Sequence, residues 1–363
     1  MKIRLAGFLL FFVCLAVPAD TFSPVGAPLL HQGAVVLAAF SPDSRRVVTA
    51  SEDGTARVWD AATGAPVGAP LQHKDMVLWA AFSPDGRHVV TASADKTARI
   101  WDAATGRPAS MPLPHEHWVF TAAFSSDGRR VVTASGRAAQ MWDANTGKPL
   151  GLPVEHPQGD VLMAAFSPDG RRIVTASADD TARIWDTTAG QPVGAALQHP
   201  GGFVFSAAFS ADGHRVVTAS ADKTARVWDA DTGKPLGAPM QHQGFVRSAA
   251  FSPDGHYVVT ASADKTARVW EVGSSKPVGP PLQHQDRVES AVFSPDGRRV
   301  VTASRDKTAR VWEAGSGKPL SGPLQHQDRV ETAAFSPDGH RVVTASRDKT
   351  ARLWKAGGGN QGK

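Results

Sequence analysis

The stretch His326–Trp354, HQDRVETAAFSPDGHRVVTASRDKTARLW, recurs with small changes seven more times upstream in a chain of 363 residues. Its anchoring Phe falls at Phe40, Phe82, Phe124, Phe166, Phe209, Phe251, Phe293 and Phe335, a step of 42 residues throughout except for one of 43. A fixed period of that size restricts the chain to a solenoid, an array or a propeller, because one copy cannot bury its own apolar face. The repeat therefore decides the architecture before any local element does.

Each copy reads as three strands and a connector. VETAAF, HRVVTAS and ARLW are rich in Val, Thr and aromatics and are separated by turn residues. Ser-Pro-Asp-Gly supplies the first reversal, with Pro presetting φ and Gly accepting the conformation other residues avoid. Arg-Asp-Lys-Thr supplies the second, so consecutive strands are antiparallel neighbours. The connector Lys318–Gln325 (KPLSGPLQ) carries prolines without an N–H, which suits an edge strand. The strands are nearly continuous in small apolar residues (Ala333, Ala334, Val342, Val343, Ala345), as expected for sheets covered on both faces by neighbouring sheets.

Four-stranded units packed radially make a β-propeller, and over residues 23–354 the chain resembles the WD-repeat family. The expected fold is all-β: a single closed propeller of eight four-stranded blades. The resemblance implies a His, Ser, Asp, Trp hydrogen-bonding network in each blade. By position it carries over to His31, Ser51, Asp53 and Trp59 in blade one, and to His73, Ser93, Asp95 and Trp101 in blade two. Blades four and five match at His156, Ser177, Asp179, Trp185 and at His199, Ser220, Asp222, Trp228. Blades six to eight match at His242, Ser262, Asp264, Trp270; His284, Ser304, Asp306, Trp312; and His326, Ser346, Asp348, Trp354. Blade three departs: it keeps His115, Ser135 and Trp142 but reads SGRAAQMW, one residue short and without the Asp. Such a network lets polar groups satisfy one another where water is scarce, at about 0.5–1.5 kcal/mol net per bond. Ser, His and Asp together also invite a protease reading, but near-copies in every blade are poor grounds for a single catalytic centre.

Lys2 and Arg4, an apolar run from Leu5 to Val17 and the small residues of Val-Pro-Ala read as a secretory signal peptide cleaved after Ala19. The run is shorter than the roughly 20 residues of a membrane span, though an uncleaved anchor is the alternative. Phe-Val before Cys14 speaks against a lipid-anchored Cys. Cleavage would remove the only cysteine, leaving no disulfide, and would lower the net charge from +5 to +3. A surplus that small, spread over the repeats, does not argue for nucleic acid. The organisation expected is a signal peptide at 1–19, the propeller at 20–354 and a Gly-rich disordered tail at 355–363. Ser23–Leu30 (SPVGAPLL) matches the connector Ala65–Gln72 (APVGAPLQ) yet precedes the first unit, so it is expected to complete blade eight and close the ring.

No cofactor or metal is implied. His115-Glu116-His117 could pair on a metal, but His115 already belongs to the blade network. The repeated Asp-Gly pairs are turns and lack the alternating carboxylates of a calcium loop. The Arg two residues before Trp, such as Arg99, Arg183 and Arg352, read as solvated strand positions. Two function classes remain open: a binding scaffold for a protein or peptide, or an enzyme or small-ligand propeller using the channel mouth. Repetition favours the scaffold, because an enzyme would bring nonrepeating acids or His together at the channel. The chain is expected to be a secreted or periplasmic monomer without stable membrane insertion once the signal is removed.

The copies diverge most on either side of the first strand's leading Val. Blades two to six carry Met76 and Leu78, Trp118 and Phe120, Asp160 and Leu162, Phe203 and Phe205, Phe245 and Arg247. Blades seven and eight carry Arg287 with Glu289 and Arg329 with Glu331, joined by Arg305 and Arg347, whereas blade one has Ala34 and Val36. By strand alternation each pair should share the face opposite its Val. The resemblance places this end at the top face and channel mouth, giving a partner an apolar arc and a charged arc to dock on.

Overall fold

The computed structural model describes residues 22–356. The expected signal peptide at 1–19 and residues 357–363 lie outside the described residues. Those described form thirty-two strands grouped into eight four-stranded sheets. β1 (Phe22–Leu30) does not pair with the strand next in sequence. In blade one, β2 (Val35–Phe40), β3 (Arg46–Ser51), β4 (Thr55–Asp60) and β5 (Pro66–Gln72) lie side by side in chain order from channel to rim. Every later blade repeats that order up to the eighth, whose three strands Val330–Phe335, Arg341–Ser346 and Thr350–Ala356 take β1 as their fourth.

The turns form for local reasons that the repeat preserves. In blade one Ser41 Oγ donates to Asp43 Oδ1 at 2.6 Å, and the same oxygen accepts the Arg45 N–H at 3.0 Å. The third-to-fourth turn hangs on Asp60, whose Oδ1 accepts from the Ala62 and Thr63 N–H groups and the Thr63 hydroxyl. The residue after the first turn's Asp needs a positive φ, met by Gly86 at 69° and its counterparts. Blade one places Ser44 there, at φ 61°. Its hydroxyl accepts the Asp338 N–H of blade eight at 3.1 Å, so the strained residue ties the ring's first and last blades together.

The core lies between blades rather than inside any one of them. Val48, Ala50, Ala56, Val58 and Leu71 of blade one pack on Val77, Ala80, Val89, Trp101 and Ala103 of blade two, all buried. Alternate residues of a strand point to opposite faces, and here both faces are covered, which explains why the strands are apolar without a polar period. A second interblade contact runs along the lower rim. Arg46 sits 5.5 Å over the Phe82 ring and donates to the Gly86 carbonyl at 2.7 Å. Arg130, Arg172, Arg215, Arg299 and Arg341 likewise lie over a Phe of the next blade. At the two remaining seams His88 and Tyr257 replace the Arg, and each borders a cleft of about 460 Å³.

Ring closure takes the expected course. β1 pairs antiparallel with Thr350–Ala356, from Phe22 opposite Ala356 to Leu30 opposite Thr350. One expectation needs correction: the strand runs past Trp354, so Lys355 and Ala356 belong to the propeller and not to a tail. Pairing with Ser23 and Phe22 supplies the backbone partners that extend it. Leu29 fills the eighth-to-first seam with Val343, Ala351 and Leu353, as Leu71 fills the first-to-second. Both leucines are almost fully buried. Leu29→Ala should therefore cost about 2–5 kcal/mol, as should Leu71→Ala. Urea titrations of the two variants check this, and a Leu29→Ala protein as stable as the parent would mean that β1 does not close the ring.

Candidate functional site

The blade network is present in seven blades, with one member corrected. In blade one His31 Nδ1 lies 3.0 Å from Asp53 Oδ2, and His31 Nε2 lies 2.7 Å from Thr49 Oγ1. The Trp59 indole N–H donates to that same Thr49 oxygen at 2.9 Å. Ser51, expected in the side-chain relay, instead accepts the Asp53 N–H. The register explains the substitution. Trp59 is opposite Val47, and Thr49 lies on the same face one diagonal step away, within reach of the indole, whereas Ser51 is a further step off. Thr91, Thr133, Thr175, Thr218, Thr260, Thr302 and Thr344 accept from the corresponding indoles. The signal for this Thr was its recurrence in all eight copies.

The hydroxyl accepts from the indole and donates to Nε2, so the proton on Nδ1 faces the Asp. Burial works to raise the Asp53 pKa, but the Thr55 hydroxyl, the Gln32 N–H and His31 outweigh it and hold it at about 2. Burial also lowers the His31 pKa, against the opposing pull of Asp53. The relay is thus a neutral imidazole on an ionised carboxylate.

Blade three breaks this relay in one place. Trp142 still donates to Thr133 at 2.9 Å, and Ser135 still donates to the His117 carbonyl at 3.1 Å. His115 loses its partners: its Nε2 is buried without a hydrogen bond. Its pKa falls to about 4, with burial as the cause and no carboxylate to oppose it. The shortened segment forms a two-residue turn, Gly136-Arg137, between paired Ser135 and Ala138, with Gly136 at φ 52° as a tight hairpin requires. Gln140, where other blades have the half-buried Arg, turns inward to the Met141 and Leu150 carbonyls. Those arginines are not simply solvated: Arg57, Arg99 and Arg310 lie over their own blade's Trp.

The divergent residues sit where the first strand begins, at the same end as the relay and its turn, since Val35 pairs with Ser51 and Thr55 with Gln72. Plain alternation does not hold there. Every first strand has a bulge directly after its leading Val; in blade two Val77 pairs with Ser93 and Trp79 with Ala92, leaving Leu78 extra. Leu78, Phe120, Leu162 and Phe205 are these bulge residues and are half-buried. The residue before the Val forms a separate, more open row. Trp118, Phe203 and Phe245 are 47%, 51% and 48% exposed, whereas Met76 is half-buried. The expected common face is therefore two rows, divided by the bulge.

The charged arc is largely paired within itself. Glu289 binds Arg305 and, at 3.3 Å, Arg247 of the preceding blade. Glu331 holds Arg347 at 2.7 Å and Arg329 at 2.8 Å, and Arg347 reaches Glu52 of blade one at 2.9 Å. Arg247 also stacks 4.6 Å over Phe205, joining the two arcs. Arg287 is exposed. Among the described residues no three His, Cys, Asp or Glu side chains gather as a metal-binding group, and no helix is long and apolar enough to cross a membrane.

Eight four-stranded blades, seven of them with the complete relay, make a repeat-built β-propeller. The family profile described as WD domain, G-beta repeat matches the chain eight times, at residues 28–60, 65–102, 110–143, 147–186, 190–229, 233–271, 276–313 and 317–355, and the protein belongs to the WD40 family. Among solved structures it is similar to the computationally designed Ika8 protein, at 28% identity and a TM-score of 0.79, over 92% of this chain and 99% of that one. No curated protein matches the chain.

The relay also predicts a pH profile. A His whose folded pKa is lowered binds its proton more readily in the unfolded chain, so stability is complete above pH 6.5 and falls as pH drops towards 4 for His115. An Asp held at about 2, such as Asp53 or Asp95, contributes stability above its unfolded pKa of 3.8 that is lost as pH falls through 2. Denaturation at stepped pH should show both windows, and His115→Phe should flatten the upper one. An unchanged slope between pH 6.5 and 4 in that variant would contradict the assignment.

Proposed function

We propose that the protein is a non-catalytic scaffold that presents the relay end of the ring, its top face, to a protein or peptide. The observation that carries this reading is the row of Trp118, Phe203 and Phe245, three large aromatics about half exposed at equivalent positions of blades three, five and six. Each apolar side chain of this size is worth about 1.5–3 kcal/mol when fully buried, and aromatic anchors dominate interfaces. Met76 extends that row into blade two, and the half-buried bulge residues Leu78, Phe120, Leu162 and Phe205 lie next to it in sequence. The partner lays an apolar segment along it, and an acidic end meets Arg287. Arg305, Arg329 and Arg347, held by glutamates, act as a rigid polar border that disfavours apolar segments on the other arc. WD40 propellers commonly serve protein interaction, which supports the scaffold reading over an enzyme at the channel mouth. The scaffold works as a monomer, with no cofactor and no nucleic acid.

The Trp118→Ala, Phe203→Ala double variant should lose partner capture by at least about tenfold, while its melting temperature stays within a few degrees of the parent. A double variant that unfolds would show these side chains to be core. The place of action is inferred from the N-terminal pattern: the protein works outside the cytoplasm, in the periplasm or the medium. Its mature N-terminus should then be Asp20, and N-terminal sequencing that finds Met1 in a membrane fraction would exclude cleavage.

A further inference from the structure

Seven blades contain a worked example of carboxylate recognition, and blade three contains the same pocket without the carboxylate. In the seven, His Nδ1 meets an Asp oxygen at 2.8–3.0 Å. In five of them that oxygen also accepts the N–H of the residue after the His: Gln32, Lys74, Gln243, Gln285 or Gln327. Blade three keeps the His as His115 and places Glu116 after it, with an N–H to offer. It has no Asp, and Ala138 stands at the strand start where the other blades have a Thr. Beside His115 lies a cleft of about 520 Å³, bordered by Glu116, His117, Arg137 and Glu155, with Pro114 and Pro153 as apolar walls.

The ring itself registers the loss. His Nε2 sits 2.6–2.7 Å from its Thr in the other blades, but His115 Nε2 has no partner although Thr133 is present. Its ring centroid is 5.3 Å from that of Trp142, against 5.7–6.3 Å for the sister pairs. Without an anchor on Nδ1 the imidazole lies nearer the indole, still edge-on at 70°.

We propose that blade three binds the carboxylate of a ligand in this cleft, where it takes the place that Asp occupies in the other seven blades. The His115 Nδ1–H and the Glu116 N–H donate to it, and Arg137 supplies positive charge at the entrance. Glu116 and Glu155 also border the cleft and oppose negative charge there, so binding is weak and a second negative charge is excluded; the class selected is a monocarboxylate with a short apolar portion against Pro114 and Pro153. Binding draws the ring back so that Nε2 meets the Thr133 hydroxyl and completes the eighth relay. The carboxylate can come from a free small acid or from the C-terminus of a peptide. This inference does not rest on the aromatic row, and loss of partner capture would leave it standing.

The experiment titrates the whole protein at pH 7 with sodium butyrate, against sodium chloride at equal ionic strength, tracking the His115 ring by NMR and the melting temperature. Expected are a saturable shift confined to His115 among the relay histidines and a rise of a few degrees in melting temperature. A second titrant, a short apolar peptide with a free C-terminus, is compared with its C-terminal amide. A response to the free peptide but not the amide assigns a chain terminus, and a response to butyrate alone assigns a small acid. Two variants serve as controls. His115→Phe removes the donor. Replacing Gly136–Ala138 by the Ala-Asp-Lys-Thr of residues 94–97 supplies the missing carboxylate internally, so that protein should melt higher than the parent and ignore butyrate. No saturable response to either carboxylate, or a graft that responds like the parent, overturns the proposal.

Discussion

A sheet with two apolar faces is stable only when another sheet covers each of them, and this single constraint organises the molecule. Val48 and Val58 need blade two just as Val47 and Trp59 need blade eight. No blade is a folding unit by itself, and a linear stack would leave two faces wet. Closing the stack removes both ends, which is why β1 is carried at one end of the chain and used at the other. The Arg–Phe contacts add a cation over an aromatic face at six seams, each worth about 0.5–2 kcal/mol.

Covering both faces creates a second problem, since polar groups at the blade's upper end become buried. The relay answers it by satisfying each group with a neighbour: indole to hydroxyl, hydroxyl to imidazole, imidazole to carboxylate. The Asp accepts from main-chain N–H groups, a hydroxyl and the imidazole together, which is why it can be ionised although its side chain is buried. Blade three shows what the chain gives up when that member is absent. The indole and hydroxyl are still matched, and the whole deficit falls on one imidazole. Because the damage stays local, the rest of the blade keeps its strands and register.

Repetition makes the propeller uniform, so what distinguishes one blade from another lies in the positions where the copies differ. Those positions cluster at the first-strand bulges and the residues before them, and the bulge is what keeps them available. By adding one residue to the strand it frees a side chain from the pairing pattern in every blade. One half of the ring uses that freedom for apolar side chains and the other for ion pairs, two of which cross blade boundaries. The same framework thereby carries an apolar and a polar sector at one end of the ring.

Much of this was legible in the residues because a repeat multiplies weak signals. The eight units, the four strands of each and the shortened turn of blade three come from spacing and turn chemistry, while the propeller, its relay and the closure by Ser23–Leu30 also needed the family resemblance. The partner of Trp59 did not. Ser51 and Thr49 are both hydroxyls on one face of one strand, and only the diagonal offset between paired strands brings Thr49 and not Ser51 to the indole. The same holds for Leu78, since alternation counted along the sequence cannot see a bulge that exists only in relation to Ser93 and Ala92 on the next strand. Nor could the pairing of Arg347 with Glu52 be read, because those residues stand at opposite ends of the chain and meet only when the ring closes. Sequence by itself determined which strands form and how many blades there are, through local propensity and period. The tertiary structure decided which side chains touch, because contact across strands and seams depends on register and closure, which no single repeat contains.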